Sequence, residues 1–213
     1  LEADRIKTIS NINISSISSY SGFIKEIKTS FKNITFENCN ISGNASYSGL
    51  ISILRGAANN CQFNNIEISC NGDFVGTISR NVAGSFNNVT LNNVKISGRS
   101  YVGGLCSQAT SLGKSSDIEG IYIYAIGTGN YVGGIFGYTD GELNNVSAYQ
   151  YSKEGKKSSD EETAYLVKGS YYVGGIIGQY SGGGSTATTL TTTNSKIQGN
   201  NFVAGNIGYG SGN

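Results

Sequence analysis

A short glycine-containing word recurs along this chain, with apolar residues at fixed places in it. Its fullest form is an aromatic residue, Val, two glycines and an apolar pair, whereas looser copies upstream have one glycine. The full copies are Tyr101-Val-Gly-Gly-Leu-Cys106, Tyr131-Val-Gly-Gly-Ile-Phe-Gly137 and Tyr172-Val-Gly-Gly-Ile-Ile-Gly178, with Phe202-Val-Ala-Gly-Asn-Ile-Gly208 as a variant of the same length, and the looser ones span 20–24, 47–51 and 74–78. The glycine before the apolar pair recurs after 27, 27, 28, 30, 41 and 30 residues. A nearly fixed period of this size is typical of a solenoid with one coil per repeat.

A second word, with apolar residues at its first, fourth and sixth positions, lies between successive glycine words. It ends in the apolar-polar-apolar alternation of a β-strand with one buried face. The word begins at Ile9, Phe36, Phe63, Leu91, Ile118, Leu143 and, in a degraded copy, Leu190. In the first four coils it begins 13 residues before the next glycine marker, so each coil has two nearly equal parts. This alignment predicts that Ile121, and Ile176 in the glycine word, point into the core.

The two words predict an all-β fold, namely a right-handed parallel β-solenoid of about seven coils of ~27 residues. We expect two strands per coil, and a third where Phe31-Lys-Asn-Ile34 and Phe86-Asn-Asn-Val89 match each other. Residues 1–213 are predicted to form a single domain. A sandwich of β-hairpins is the rival all-β fold, but it does not explain why identical words recur at one interval.

Paired asparagines interrupt the second word and suit a corner, because asparagine tolerates a positive φ and bonds its own backbone. Stacked coils would place these residues about 4.8 Å apart, so that their amides hydrogen-bond along the axis. The predicted asparagine ladder consists of Asn11, Asn38, Asn65, Asn93 and Asn145.

The glycine words resemble the GLUG motif, a short glycine-rich repeat of secreted and cell-surface proteins, many of them bacterial adhesins. The resemblance is close over 101–137 and 171–208 and loose upstream, where the second glycine is missing. It implies an extracellular β-solenoid, often a stalk or adhesive region of something larger, and brings no catalytic residues. The residues that match the motif are Tyr101, Gly103, Gly104, Tyr131, Gly133, Gly134, Tyr172, Gly174, Gly175, Phe202 and Gly205.

The longest coil and the two ends depart from the repeat. Residues 150–163 form a charged insertion in the 41-residue coil, which we expect to be either a contact loop for a partner or a tolerated solvent loop. Residues 1–19 are predicted to be an N-terminal half-coil or cap, and residues 202–213 a C-terminal half-coil. Such halves indicate either a piece of a longer solenoid or a subunit that joins itself end to end in a filament.

Composition agrees with strands and tight turns, since the chain has 31 Gly and 14 Tyr but no Pro, Met, Trp or His. A formal net charge of +1 provides no basic field for nucleic acid. The sequence lacks a run of 18 apolar residues, so we expect no membrane insertion. The absence of methionine indicates a mature or excised segment.

The four cysteines do not follow a metal-binding pattern, because they form no CxxC pair and the chain has no histidine. The first interpretation is that all four are small apolar core residues. The alternative is one disulfide among Cys39, Cys61 and Cys70, whose pairing the sequence does not determine.

Catalytic patterns are sparse. Without histidine, Ser-His and Cys-His nucleophile arrangements are excluded. Polysaccharide-cleaving β-helices are the rival class, but Asp73, Asp117 and Asp140 lie at scattered turns, and 160–162 is within the insertion. Glycine-aspartate calcium repeats are absent, and the threonines of 186–193 occupy one coil instead of the several that a flat ice-binding face needs. We therefore expect no enzyme activity and no cofactor.

Aromatic residues begin every glycine word and would form a column along one edge. This column either holds sugar rings or a partner, or is a packing spine of the fold. Its members are Tyr20, Tyr47, Phe74, Tyr101, Tyr131, Tyr172 and Phe202.

Sequons for N-glycosylation occur at Asn13, Asn33, Asn40, Asn44, Asn88 and Asn145. Several of them arise simply because the second word contains Asn, Ile or Val, and then Ser or Thr.

The sequence thus favours a non-enzymatic extracellular or cell-surface structural protein, a rigid rod that builds a filament or an adhesin stalk. The alternative is a glycan- or protein-binding adhesin module that uses the tyrosine edge or the 150–163 loop. Its partners are expected to be further copies of itself, neighbouring repeats of a longer chain, a glycan or a surface protein.

Overall fold

The structure is a computed structural model that describes residues 5–16, 19–149, 166–183, 185–193 and 195–211. Within these ranges the chain forms only β-strands and connecting turns, and every pairing between strands is parallel. The strands make two sheets, A and B, and the chain passes from one to the other in each coil. The predicted all-β solenoid is confirmed.

Sheet A has 11 strands and sheet B has 12. The strands of sheet A are β1 (Lys7–Ser10), β2 (Asn13–Ser16), β5 (Phe31–Lys32), β6 (Ile34–Gly43), β9 (Ala58–Cys70), β11 (Phe86–Gly98), β13 (Ser115–Gly127), β16 (Leu143–Tyr149), β17 (Leu166–Lys168), β20 (Ala187–Thr193) and β21 (Lys196–Gln198). Those of sheet B are β3 (Tyr20–Ser21), β4 (Ile24–Ile27), β7 (Tyr47–Ser48), β8 (Ile51–Leu54), β10 (Phe74–Val82), β12 (Val102–Thr110), β14 (Asn130–Gly133), β15 (Phe136–Thr139), β18 (Tyr171–Gly174), β19 (Ile177–Ser181), β22 (Asn201–Ala204) and β23 (Ile207–Ser211).

The register stacks like residues of successive coils. In sheet B, Val102 pairs with Val132, which pairs with Val173 and then Val203. The order of strands in both sheets follows the order of the chain, which gives seven coils. Each coil therefore depends mainly on its neighbours, as in other repeat proteins.

The core lies between the two sheets and consists of continuous apolar columns. The rings of Phe36 and Phe63, for example, are fully buried and stack with centroids 5.6 Å apart. Val102, Val132 and Val173 form a buried column in sheet B. Burial of apolar area, with unbroken backbone ladders from coil to coil, holds the array together.

The expected third strand is not a separate face. The Phe86 word continues without interruption into the second word as the single strand β11, and β9 does the same one coil earlier. Each 13-residue strand has two residues with a left-handed backbone, which are Asn60 and Asn65 in β9, with φ of 52° and 53°, and Asp117 and Tyr122 in β13, with φ of 57° and 54°. The coil thus has two sheets, and corners within one strand replace the third face.

The first and last coils contribute strands to both sheets. Strands β1 and β2 lie in sheet A and the following β3 and β4 lie in sheet B. The last coil contributes to both sheets through β20 to β23. The described residues of the expected half-coil at 1–19 thus lie mainly in sheet A, and those of the expected half-coil at 202–213 lie in sheet B.

The alignment of the second word at Ile118 was wrong. The word that begins at Ile118 was aligned with the word that begins at Leu91, but Ile118 pairs with Val89, two residues before Leu91. Ile121 therefore pairs with the exposed Asn92. Ile121 is consequently only partly buried, whereas Ile123 is fully buried in the column of Val94. Ile176 is fully buried, as predicted.

Candidate functional site

The aromatic column is an unbroken stack of seven rings along sheet B. Successive centroids lie 4.5 to 5.2 Å apart and the planes differ by at most 28°. The five internal rings are half-buried, and each of their faces lies against the ring of a neighbouring coil. The terminal rings, Tyr20 and Phe202, have a ring of the column against one face each, so the geometry is that of a packing spine with a solvent-exposed edge. The stack runs through Tyr20, Tyr47, Phe74, Tyr101, Tyr131, Tyr172 and Phe202.

The second glycine of the full word is an inserted residue. Val75 and Gly76 pair with Val102 and Gly103, but Ile78 pairs with Cys106, so the register shifts by one residue at this point. Gly104 and Leu105 therefore lie opposite Thr77 alone, as a β-bulge that arises where the word gains its second glycine. The glycine that aligns with Gly76 is thus Gly103, not the marker Gly104.

Both glycines are required by close packing. A Cβ at Gly103 would overlap the carbonyl oxygen of Cys106, and one at Gly104 would overlap the carbonyl oxygen of Gly134 in the next coil. Gly133, Gly134, Gly174 and Gly175 repeat these positions in the two following coils. The motif residues of the sequence therefore bring two backbones together, and the structure gives them a packing role.

The asparagines form two columns on sheet A instead of one. Asn11, Asn38, Asn65 and Asn93 are in register with positive φ, and Asn65 Nδ2 donates to Asn38 Oδ1 at 3.0 Å. Asn145 does not belong to this ladder, because it lies five positions earlier on its coil. It is in register with Asp117, to which its Nδ2 donates at 2.6 Å.

The second column was missed by sequence reasoning. It contains Asn33, Asn60, Asn88, Asp117 and Asn145, all with positive φ. Asn60 Nδ2 donates to Asn33 Oδ1 at 2.5 Å, and Asn88 Nδ2 donates to Asn60 Oδ1 at 2.9 Å. The signal was the second Asn-Asn pair five residues away in the same strand, at 87–88.

The four cysteines are buried free thiols, so no disulfide links Cys39, Cys61 and Cys70. Cys39 pairs with Ile66, Cys61 with Val89 and Cys70 with Gly43, which places the three in different columns. Burial raises the pKa of each of these thiols, and it raises the pKa of Cys106 to about 12. They behave as small apolar core residues.

The sequons divide into two groups. Asn33, Asn88 and Asn145 are members of the second column, where their side-chain amides are hydrogen-bonded between coils. Asn44 Oδ1 accepts from Asn71 Nδ2 at 2.9 Å. Asn13 and Asn40 are exposed and adjacent in register on the outer face of sheet A.

The scattered carboxylates have structural partners. Asp73 accepts from Arg99 Nε at 2.6 Å, and Asp140 accepts from the backbone N–H groups of Ser111 and Leu112 at 2.9 and 3.1 Å. Asp117 is part of the second column. Among the described residues no group of three or more His, Cys, Asp or Glu side chains could hold a metal ion.

The end coils expose apolar surface that internal coils bury. The large exposed apolar side chains of the described residues all lie on the first coil or the last two, with Phe23 47% exposed and Phe202 56% exposed. The last coil also carries a polar residue inside: Asn206 follows Ile135 and Ile176 in their column. Its Nδ2 donates to the carbonyl of Leu190 at 3.0 Å, and its Oδ1 accepts from the Thr192 hydroxyl at 2.6 Å.

Two further expectations from the sequence concern the charged insertion and membrane insertion. The charged insertion at 150–163 lies outside the described residues. Within the described part of the chain, no helix of a length and apolarity suited to crossing a membrane occurs.

No protein-family profile matches this sequence, and comparisons with curated proteins and with solved structures likewise give no match.

Proposed function

We propose that this chain is a non-enzymatic structural rod of the cell surface or extracellular space. It would serve as a building block of a filament, with an adhesin stalk as the form it takes within a longer chain. The observation that carries the proposal is the continuity of packing. The ring stack and the backbone ladders of both sheets pass through all seven coils, and the large exposed apolar side chains of the described residues lie on the first coil and the last two.

Dimensions favour extension by further coils. Seven coils at about 4.8 Å per coil span only about 34 Å, which is short for a spacer. The exposed rings of Tyr20 and Phe202 terminate one column, at opposite ends of the array. Unpaired strand edges at such ends recruit other strands, so a second copy could continue both sheets in register.

The geometry of the aromatic column, whose exposed side is the tyrosine edge, makes the stacking of sugar rings on it less favourable. A sugar ring binds an aromatic face, but both faces of every internal ring lie against neighbouring rings. The partners of Asp73 and Asp140 also account for these carboxylates without catalysis. Both observations support a structural protein over a lectin edge or a polysaccharide-cleaving enzyme.

Light scattering and electron microscopy over a concentration series test the proposal. We expect assemblies of constant width that lengthen with concentration, because the large exposed apolar side chains of the described residues lie at the ends. Val203→Lys on the last coil should stop the lengthening, whereas Asn92→Lys on the exposed side of sheet A should not. Monomers at every concentration would contradict the filament, and the adhesin stalk would then be the remaining form of the proposal. Release of reducing sugars from a panel of polysaccharides would contradict a non-enzymatic role.

A further inference from the structure

The second column of side chains on sheet A is interrupted at one step. Up to Asn88, each coil donates an amide N–H to the Oδ1 of the preceding coil, at 2.5 and 2.9 Å. Asp117 occupies the next place and has no N–H to donate, so two acceptors, Asn88 Oδ1 and the Asp117 carboxylate, follow each other. Beyond it the column resumes, with Asn145 Nδ2 donating to Asp117 Oδ1, and the neighbouring Ser116 hydroxyl donates to Asp117 Oδ2 at 3.1 Å. The step from Asn88 to Asp117 is thus the one where the column itself supplies no donor between the two side chains.

A cleft of about 310 Å³ opens on the outer face of sheet A at this interruption. Asn88, Asp117 and Asn145 form one side of it. Thr90, Glu119 and Ser147 follow two positions later on the same three strands, and Ile118 and Tyr149 complete the lining. The Ser147 hydroxyl and the Tyr149 hydroxyl are 2.7 Å apart, which fixes the tyrosine at this edge of the cleft.

The lining defines the chemistry of a ligand. Two carboxylates, two carboxamides and three hydroxyl groups surround the cleft, and none of the described residues that line it is Lys or Arg. Ionised carboxylates only accept hydrogen bonds, so the ligand must donate, and they repel an anion. A saccharide has many hydroxyl donors and an apolar ring face that suits an aromatic side chain. The volume is at the lower end for small-molecule sites and fits one or two sugar rings.

We propose that this cleft binds a neutral saccharide. One hydroxyl group of the sugar donates into the step between Asn88 and Asp117, where the column lacks a donor. A second hydroxyl donates to Glu119, and the ring lies against Tyr149. This site goes beyond the structural role, because a rod needs neither the break in the column nor the cleft. The outer face of sheet A would thus bind a ligand of defined chemistry across three successive coils.

Asp117→Asn is the decisive variant, because it changes one atom of the side chain and restores the missing amide donor. The new side-chain amide would donate to Asn88 Oδ1 as Asn88 Nδ2 donates to Asn60 Oδ1. The melting temperature should then stay the same or rise, while saccharide binding is lost. If Asp117 had only a structural role, the substitution would not abolish saccharide binding while leaving the melting temperature unchanged or higher.

The experiment screens the labelled 213-residue chain on an array of neutral and anionic oligosaccharides and measures Kd by calorimetry for those that bind. We expect neutral members to bind. Asp117→Asn and Glu119→Gln should each weaken binding by at least about tenfold. Glu67→Gln, on the same sheet but outside this cleft, is the matched control and should bind like the wild type.

The proposal would be overturned by a folded wild-type chain that binds no array member, by a preference for anionic members, or by unchanged binding by Asp117→Asn. Binding that disappears on chelation of divalent cations would assign the gap to a metal ion and also overturn it. End-to-end assembly is read out separately by microscopy, so the failure of one proposal does not imply that of the other.

Discussion

Four aromatic residues begin the full glycine words in a left-handed backbone conformation. Tyr101, Tyr131, Tyr172 and Phe202 have φ between 48° and 63°, a region that asparagine occupies on sheet A. For a residue with a bulky side chain this conformation costs about 1–2 kcal/mol. The contacts of each ring with the rings of adjacent coils offset that cost, which explains why an aromatic side chain stands where glycine or asparagine would be less strained.

Replacing Tyr131 tests this balance. Tyr131→Ala removes two ring contacts, at 4.5 and 5.2 Å, and keeps the strained backbone, so we expect a loss of about 1–3 kcal/mol in the free energy of unfolding. Tyr131→Phe retains the stack and should lose less than about 1 kcal/mol. Urea denaturation measures both, and equal stability of the two variants would show that the stack contributes nothing.

Cys106 predicts a loss of stability at alkaline pH. Burial raises the pKa of its thiol to about 12, whereas in the unfolded chain the thiol titrates near its ordinary pKa of about 8.5. The unfolded state therefore loses its proton first, and stability falls from about pH 8.5 upward, by up to about 1.4 kcal/mol per pH unit, until about pH 12.

Cys106→Ser supplies the control for this effect. Serine does not titrate in this range and can keep the hydrogen bond that the thiol donates to the carbonyl of Gln108. The slope of stability against pH, measured by denaturation between about pH 8 and 10, should be shallower in this variant. The same slope in both proteins would mean that the thiol is accessible to solvent.

At the scale of the element, each bulged strand of sheet B that is followed by another coil packs closely against the backbone of that coil. Gly175 and Gly205 hold the same place in the motif, but a Cβ at Gly175 would overlap the carbonyl oxygen of Gly205, whereas one at Gly205 would meet nothing within 4 Å. We expect Gly175→Ala to destabilise the chain by several kcal/mol, about 2–4, and Gly205→Ala to be nearly neutral. Thermal unfolding compares the two, and equal melting temperatures would contradict the close approach of the coils.

The strand of the fifth coil offers a second matched pair. Ile123 is fully buried and Ile121 is partly exposed, although they are two residues apart on β13. Ile123→Asp buries an unpaired charge and should prevent folding of the central coils, while Ile121→Asp should be tolerated with a loss of about 1 kcal/mol. Circular dichroism and melting measurements distinguish them, and the opposite order would mean that the register of this strand is shifted.

The same strand shows what the sequence could and could not predict. The period, the parallel stacking and the aromatic column follow from words repeated at one interval. The assignment of Asn145 failed because β9 and β11 each contain the apolar-Asn-Asn-apolar word twice, five residues apart, as in β11 at 86–89 and 91–94. The sixth coil has a single copy, at 143–146, so sequence alone could not decide its position. The break at Asp117 was invisible for the same reason.

At the scale of the whole molecule, the two ends differ. On the first coil, Ile9, Ile12 and Ile14 pack against the core and are apolar. On the last coil, the Thr192 hydroxyl of sheet A donates to Asn206 Oδ1 at 2.6 Å, and both residues are partly buried. Partly buried polar groups of this kind are stable when their hydrogen bonds are satisfied, as they are here. The column of Ile135 and Ile176 thus ends in a polar contact at the last coil, while the outer edge of that coil keeps exposed rings.

The parallel pairing of coils also determines how this molecule would bear load. In both sheets, backbone hydrogen bonds join each coil to the next. A pull between the first and last coils therefore acts parallel to these hydrogen bonds and breaks them one coil at a time. Each coil of 27 to 30 residues would release about 90–110 Å of chain, and the 41-residue coil about 135–150 Å. Optical-tweezers extension should show successive steps of these sizes at low force. A single rupture at high force would mean that the coils resist as one body.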